Sequence, residues 1–335
     1  MKALVLKGYG AKQTLEFAEL ARPTIKSNEV LVQIHAAGIN PIDNMIPKGM
    51  FKPILKFQLP AVMGSDLAGV VVQVGGAVRH FKVGDAVFAS VFDMDRGSFA
   101  EFVAVPESAV AHKPSNISFV EAAVLPMVAL TAWQALHERM QLKRGQKIFI
   151  PAGAGGIGTI AIQLAKQIGA FVATTTSTGN VELVRELGAD EVVDYKKQEF
   201  ENVLQGYDAV LGTMRDAELE KTFKILAPGS NVVSLVGPPD ANFARARGMN
   251  VIMPLLFSLI SSKIRRLAKS RNANYSFMFV RPDGQQLSAI AALLEAGKIR
   301  SVVDKVFGFD DALQGLAYLE QGRAKGKVVL QMIAD

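Results

Sequence analysis

Six residues, Gly153-Ala154-Gly155-Gly156-Ile157-Gly158, carry the spacing G-x-G-x-x-G. Glycines so placed let a strand turn tightly into a helix and let a phosphate approach the backbone closely. The helix N-terminus then offers unpaired N–H groups and a positive dipole end to an anion. The context agrees: KIFIPA (residues 147–152) reads as a buried strand, and an Ala/Ile/Leu-rich helix follows. A dinucleotide pyrophosphate is the ligand such a turn takes; the plainer reading is a glycine-rich loop with none. An NAD site places an Asp or Glu about twenty residues on, to hold the ribose 2′-OH. Here the chain has Thr174-Thr175-Thr176-Ser177-Thr178-Gly179-Asn180, without an acid. Small donors suit a 2′-phosphate, so NADPH/NADP is the expected cofactor. Ser177 and Asn180 also suit simple capping of the next helix, and the two roles are compatible.

Other chemistries are excluded by what the chain lacks. It has no cysteine, so disulfides, thiol nucleophiles and cysteine-ligated metals are ruled out. His35, His80, His112 and His137 stand singly, without metal-binding spacing, and no metal is expected. The net charge is +6, but residues 241–282 contain no acid and eight cations: Arg245, Arg247, Lys263, Arg265, Arg266, Lys269, Arg271 and Arg281. One local basic segment is a poor nucleic-acid footprint.

These residues need elements to position them. The first third reads as short β-branched or aromatic strands punctuated by Gly, Pro and Asn, which suggests a barrel or sandwich. Helical spacing begins near Ser118. From Lys147 strands alternate with helices, the pattern of a parallel sheet covered on both faces. Mixed strand and helix return at the end. Half of the residues are hydrophobic, enough for large cores. There is no secretory leader pattern, and the longest charge-free run, residues 148–165, holds four glycines and a proline. A soluble, cytoplasmic protein is expected.

Several longer phrases together resemble the zinc-free quinone/enone oxidoreductase branch of the medium-chain dehydrogenase/reductase superfamily. GINPIDNMIPKG (38–49) looks like its active-site stretch, and PAVMGSDLAGVVVQVG (60–75) like its G-x-D-x-A-G-x-V signature. ALTAWQAL (129–136), LGADEVVDY (187–195) and GRAKGKVVL (322–330) are similar to its interdomain helix, third-strand phrase and C-terminal end. The resemblance implies an α/β fold: a GroES-like β-barrel catalytic domain over residues 1–125, a Rossmann doubly wound parallel-sheet domain over 126–262, and a return to the catalytic domain over 263–335. It also implies a homodimer joined through Rossmann edge strands near residues 232–236 and beyond.

Residue by residue, it implies that Asn40 faces nicotinamide and substrate, with Asp43 beside it as a second catalytic candidate. Thr131 would bond the carboxamide. Ser177, Thr178, Asn180 and Tyr195 would hold the 2′-phosphate or adenine side, and Arg323 would reach the phosphate. Leu235, Phe277 and Phe279 would complete the nicotinamide side. Asn40 before Pro41 is equally an ordinary turn residue. Many relatives carry Tyr or Lys where this chain has Met45, so solvent is a candidate proton source. Where alcohol-dehydrogenase relatives have the zinc-binding G-H-E, this chain has Gly64-Ser65-Asp66. The activity implied is NADPH-dependent hydride transfer to quinones or α,β-unsaturated carbonyls. The alternative is a catalytically weak NADPH-binding protein with a structural or RNA-binding role. Residues 253–271 read as one basic amphipathic helix, foremost a surface helix beside the dimer edge and secondarily a peripheral membrane contact.

Overall fold

Strand-forming runs from both ends of the chain pair with one another. The structure, a computed structural model, describes residues 1–10, 14–55 and 57–334. It divides into two compact units, Met1–Leu130 with Val280–Asp335, and Thr131–Phe279.

The first unit is built on the long strand Glu29–Ile39. Along its length it pairs with Asp66–Val74; its first half also takes Phe102–Pro106 and its second half Lys327–Gln331. Ala86–Ser90 and Val110–His112 extend the sheet on one side, and Val303–Gly308 closes the other. Apart from that last, parallel pairing, every neighbour is antiparallel. This is the expected strand-rich barrel domain. Register does the positioning: Val328 lies opposite Ile39, and Gly38 opposite Asp66. Asn40, Asp66 and Lys327 therefore meet at one end of three adjacent strands. Gly38 must be glycine, because a Cβ there would lie 2.5 Å from the Ala123 carbonyl oxygen.

The second unit is a sheet of six parallel strands. In spatial order they are Glu191–Asp194, Phe171–Thr176, Lys147–Ile150, Tyr207–Gly212, Leu226–Ser234 and Asn274–Phe277. That order reverses at Lys147–Ile150, the doubly wound Rossmann arrangement. Phe149, Tyr207, Val210, Phe223 and Val232 fill its core.

Three expectations change here. The Rossmann-type unit runs on to Phe279, past the expected boundary at 262, because Ile264 and Ala268 pack into its core and Asn274–Phe277 is its sixth strand. The sheet edge is accordingly Asn274–Phe277, while the strand at 232–234 is internal. The single helix expected over 253–271 is two helices, Ile252–Ile260 and Ser262–Ser270. They break at the buried Ser261, whose hydroxyl donates back to the Phe257 carbonyl at 2.6 Å.

Candidate active site and dinucleotide cradle

The glycine turn links Lys147–Ile150 to the helix Gly156–Ile168. Two of its glycines are enforced by space. A Cβ on Gly153 would sit 2.1 Å from Thr174 Oγ1, and one on Gly158 would sit 2.5 Å from the Ala152 carbonyl oxygen. Ala152 itself takes φ +55, a left-handed conformation rare outside glycine. Gly155 caps the helix without a side chain, and the first helix-type bond is donated by Thr159 to Gly155. The N–H groups of Gly156, Ile157 and Gly158 thus have no acceptor among the described residues. Ala154 is buried within the turn. An unpaired, side-chain-free helix start of this kind fits a pyrophosphate.

At the end of the second strand, Ser177 and Asn180 contact each other, Asn180 Nδ2 donating to Ser177 Oγ at 3.3 Å. Asn180 Oδ1 is buried without a partner. Thr178 is occupied differently from expectation: its hydroxyl donates to Asp194 Oδ2 at 2.7 Å. An acid therefore does lie at this corner, contributed by the third strand. The Thr178 bond holds its carboxyl below the usual range, helped by the Lys196 N–H and the Lys197 ammonium. Tyr195, Lys196 and Lys197 follow it, all exposed. The two lysines are cations that reading the second strand alone overlooked.

The other expected cofactor residues are less uniform. Thr131 is buried in the helix Pro126–Trp133. Leu235 N–H donates to the Gly212 carbonyl at 2.9 Å, just past the fifth strand. Phe277 and Phe279 pack with Phe243, at ring separations of 4.8 and 5.2 Å. The Phe277 N–H donates to Asp240 Oδ2 at 2.9 Å, and the neighbouring Met278 N–H to the Ser234 carbonyl at 3.0 Å. Arg323 is exposed and belongs to the first unit, in the turn after Ala312–Glu320.

In the first unit, Asn40 does not present a free amide. Its Nδ2 donates to Asp66 Oδ2 at 2.9 Å, and its Oδ1 accepts from Lys327 Nζ at 2.5 Å. Lys327 also donates to the Ile39 carbonyl at 2.9 Å and lies 3.5 Å from Asp66 Oδ2. The Met127 N–H completes the shell on Asp66 Oδ1 at 2.7 Å. All three side chains are buried. Burial lowers the Lys327 ammonium and raises the Asp66 carboxyl, and their mutual attraction opposes both shifts. Lys327 was not singled out by its sequence context. Both ends of the Asn40 amide, expected to face nicotinamide and substrate, are thus engaged between Asp66 and Lys327.

Asp43 sits one turn along, in the short helix Pro41–Met45. Its Oδ2 accepts the Asn40 backbone N–H at 2.7 Å, while Oδ1 is buried without a partner. Burial pushes its carboxyl up to about 7 from an ordinary 3.8. It lines a pocket with Ile46, Phe57, Met63, Ser65 and Phe92. Lys48, the other nearby candidate, is paired with Glu320. A catalytic zinc does not fit this donor set. The chain has no cysteine, and Asp66 is already held by a lysine, an amide and a backbone N–H.

Comparison with known proteins agrees with this architecture. A family model described as an alcohol dehydrogenase GroES-like domain matches residues 26–115, and one described as a zinc-binding dehydrogenase matches residues 187–330. A 2-methylene-furan-3-one reductase of Solanum lycopersicum is 36% identical over 99% of this chain and 79% of its own. An NADPH-dependent alkenal/one oxidoreductase, chloroplastic, of Arabidopsis thaliana is 35% identical over 99% of this chain and 80% of its own. Among solved structures, the quinone oxidoreductase from Coxiella burnetii superposes with a TM-score of 0.84 at 27% identity, covering 99% of both chains. Barrel unit, doubly wound unit and glycine cradle define a medium-chain dehydrogenase/reductase. The chain belongs to that superfamily, in its quinone/enone oxidoreductase branch.

Proposed function

We propose that the protein is an NADPH-dependent reductase of quinones or α,β-unsaturated carbonyls that works without a metal. The observation that carries this reading is one chain holding both a glycine cradle for a dinucleotide and, in place of the G-H-E of alcohol-dehydrogenase relatives, Gly64-Ser65-Asp66 with Asp66 buried against Lys327. Without a Lewis acid to lower an alcohol's pKa, alcohol oxidation is disfavoured. A conjugated acceptor needs less help, since its negative charge delocalises. The relatives named as alkenal/one, furanone and quinone reductases support the same substrate class.

When bound, reduced nicotinamide supplies the hydride. The chain's own residues bind and orient. The N–H groups of Gly156, Ile157 and Gly158 hold the pyrophosphate. Ser177, Asn180, Tyr195, Lys196 and Lys197 hold the 2′-phosphate, with Asp194 kept occupied by Thr178. Asp43 holds a proton near neutrality, and holds it on Oδ1, because Oδ2 is committed as an acceptor.

The test is steady-state consumption of NADPH and of NADH with a panel of alkenals, cyclic enones and quinones. NADPH turnover with at least one of these acceptors is expected. Cofactor binding with no turnover across the panel would assign the protein to a binding role instead. The functional unit is proposed to be a homodimer that joins two Asn274–Phe277 edges, since an uncovered edge strand invites pairing.

A further inference from the structure

The helix Ile252–Ile260 keeps few of its aliphatic side chains from water. Ile252, Leu255, Leu256, Leu259 and Ile260 recur at three- and four-residue spacing, so they share one face. That face is bare: Ile252, Leu255 and Leu259 are 66%, 69% and 72% exposed, and Val251 just before the helix is 84% exposed. Phe257 is the helix's buried residue, its ring stacked on Phe243 at 6.3 Å. The helix is thus tethered by one aromatic while its aliphatic stripe points outward. Single exposed apolar residues need no explanation; a contiguous stripe does.

The next helix, Ser262–Ser270, shows the opposite arrangement. Its apolar residues Ile264 and Ala268 are in the core, and its cations face water. Lys263 pairs with Glu220 at 2.5 Å, and Arg265 donates to the Ser258 carbonyl and hydroxyl. Arg266, Lys269 and, just beyond, Arg271 have no acidic partner among the described residues. No acid occurs anywhere in residues 241–282. A bare aliphatic stripe is therefore followed directly by unneutralised positive charge.

We propose that these two helices dock the protein on an anionic lipid bilayer. The stripe 252–260 enters the interfacial zone, and Arg266, Lys269 and Arg271 meet headgroup phosphates. Charge decides the occupant. A second copy meeting the stripe about a two-fold axis would bring the unpaired Arg266, Lys269 and Arg271 towards their own copies, whereas anionic headgroups complement them. The contact lies in the surface and does not cross it. A span needs ~20 apolar residues, this helix has nine, and among the described residues no helix is long and apolar enough to cross a membrane.

The test is sedimentation of the full-length chain with vesicles of phosphatidylcholine alone or of phosphatidylcholine with phosphatidylserine. The protein should pellet with the anionic vesicles and remain in solution with the neutral ones, and added salt should weaken binding. Arg266→Gln and Lys269→Gln should each reduce the partition coefficient about fivefold. Leu255→Asp with Leu259→Asp should reduce it more than about tenfold; an unchanged melting temperature shows the fold intact. Equal behaviour with neutral and anionic vesicles, or no pelleting with either, overturns the proposal. So does a lipid-free sedimentation velocity experiment in which the double aspartate variant splits a larger species into a smaller one, which would give the stripe to a second copy.

Discussion

At the scale of single residues, the first unit holds two buried carboxyls whose environments differ. Asp66 has a lysine, an amide and a backbone N–H, all of which oppose the upward push of burial on its carboxyl. Asp43 has one backbone N–H and an orphaned oxygen, and keeps its proton to about pH 7. A carboxyl raised on folding contributes stability that is complete below its unfolded pKa and is lost as pH rises through its folded pKa. The window is therefore about pH 4 to 7, with stability falling as pH rises. Asp66 and Lys327 are the charged groups that face it. Asp43→Asn keeps an acceptor for the Asn40 N–H and removes the titration. The variant should melt higher than wild type at pH 8, by ~1–3 kcal/mol in stability, and match it near pH 4. Parallel melting curves at both pH values for both proteins would contradict this. Lys327→Met is expected to act in the opposite sense, stranding a buried Asp66 carboxylate at a cost of ~3–5 kcal/mol. Adding Asp66→Asn should recover part of that loss in a double-mutant cycle.

At the scale of elements, the proposed site of cofactor choice is the corner formed by the ends of Phe171–Thr176 and Glu191–Asp194. Ser177→Asp would place a second carboxylate beside Asp194, facing the 2′-phosphate. Since ~1.4 kcal/mol is a factor of ten and a charge-assisted bond is worth ~1.5–3 kcal/mol, kcat/KM for NADPH should fall at least tenfold while that for NADH changes little. Equal use of both cofactors by wild type would refute the assignment of this corner. The same corner shows what a chain can reveal before it folds. The glycine turn, the acid-free second strand and the strand–helix alternation are local patterns, visible because period and spacing are properties of neighbours. Asp194 reaching Thr178 and Lys327 reaching Asn40 are products of strand register, which no local window contains. Ser261 gave little sign that it would break a continuous helical pattern, since serine is tolerated inside helices. The aliphatic stripe was legible as apolar, but its exposure follows from Phe257 being the side chain that found a pocket.

At the scale of the molecule, the assignment of the sheet edge moved, and with it the expected assembly. Residues 274–277 form the outermost strand, held on one side by the strand Leu226–Ser234. A homodimer formed there should persist at micromolar concentration in light scattering. Tyr275→Pro, which removes the backbone donor that strand alternation turns away from Leu226–Ser234, should shift it towards monomer. A wild-type monomer under these conditions would contradict the proposed dimer. The two family models match different parts of the chain. Residues 26–115 cover the barrel strands, while residues 187–330 begin in the doubly wound unit and end in the returning strand.

The hydrogen bond between Lys327 and Asn40 joins residues 287 positions apart. A ribosome makes Asn40 and Asp66 long before Lys327. Until then the strand Glu29–Ile39 lacks its Lys327–Gln331 partner, and the Asp66 carboxylate lacks its counter-charge. The middle of the chain has no such debt, because all six strands of its sheet lie between residues 147 and 277. Synthesis therefore favours an order in which the dinucleotide unit folds while the barrel unit waits for its final strand. A nascent chain stalled before Gly326 should already resist protease across 131–279 and remain cleavable across 1–130.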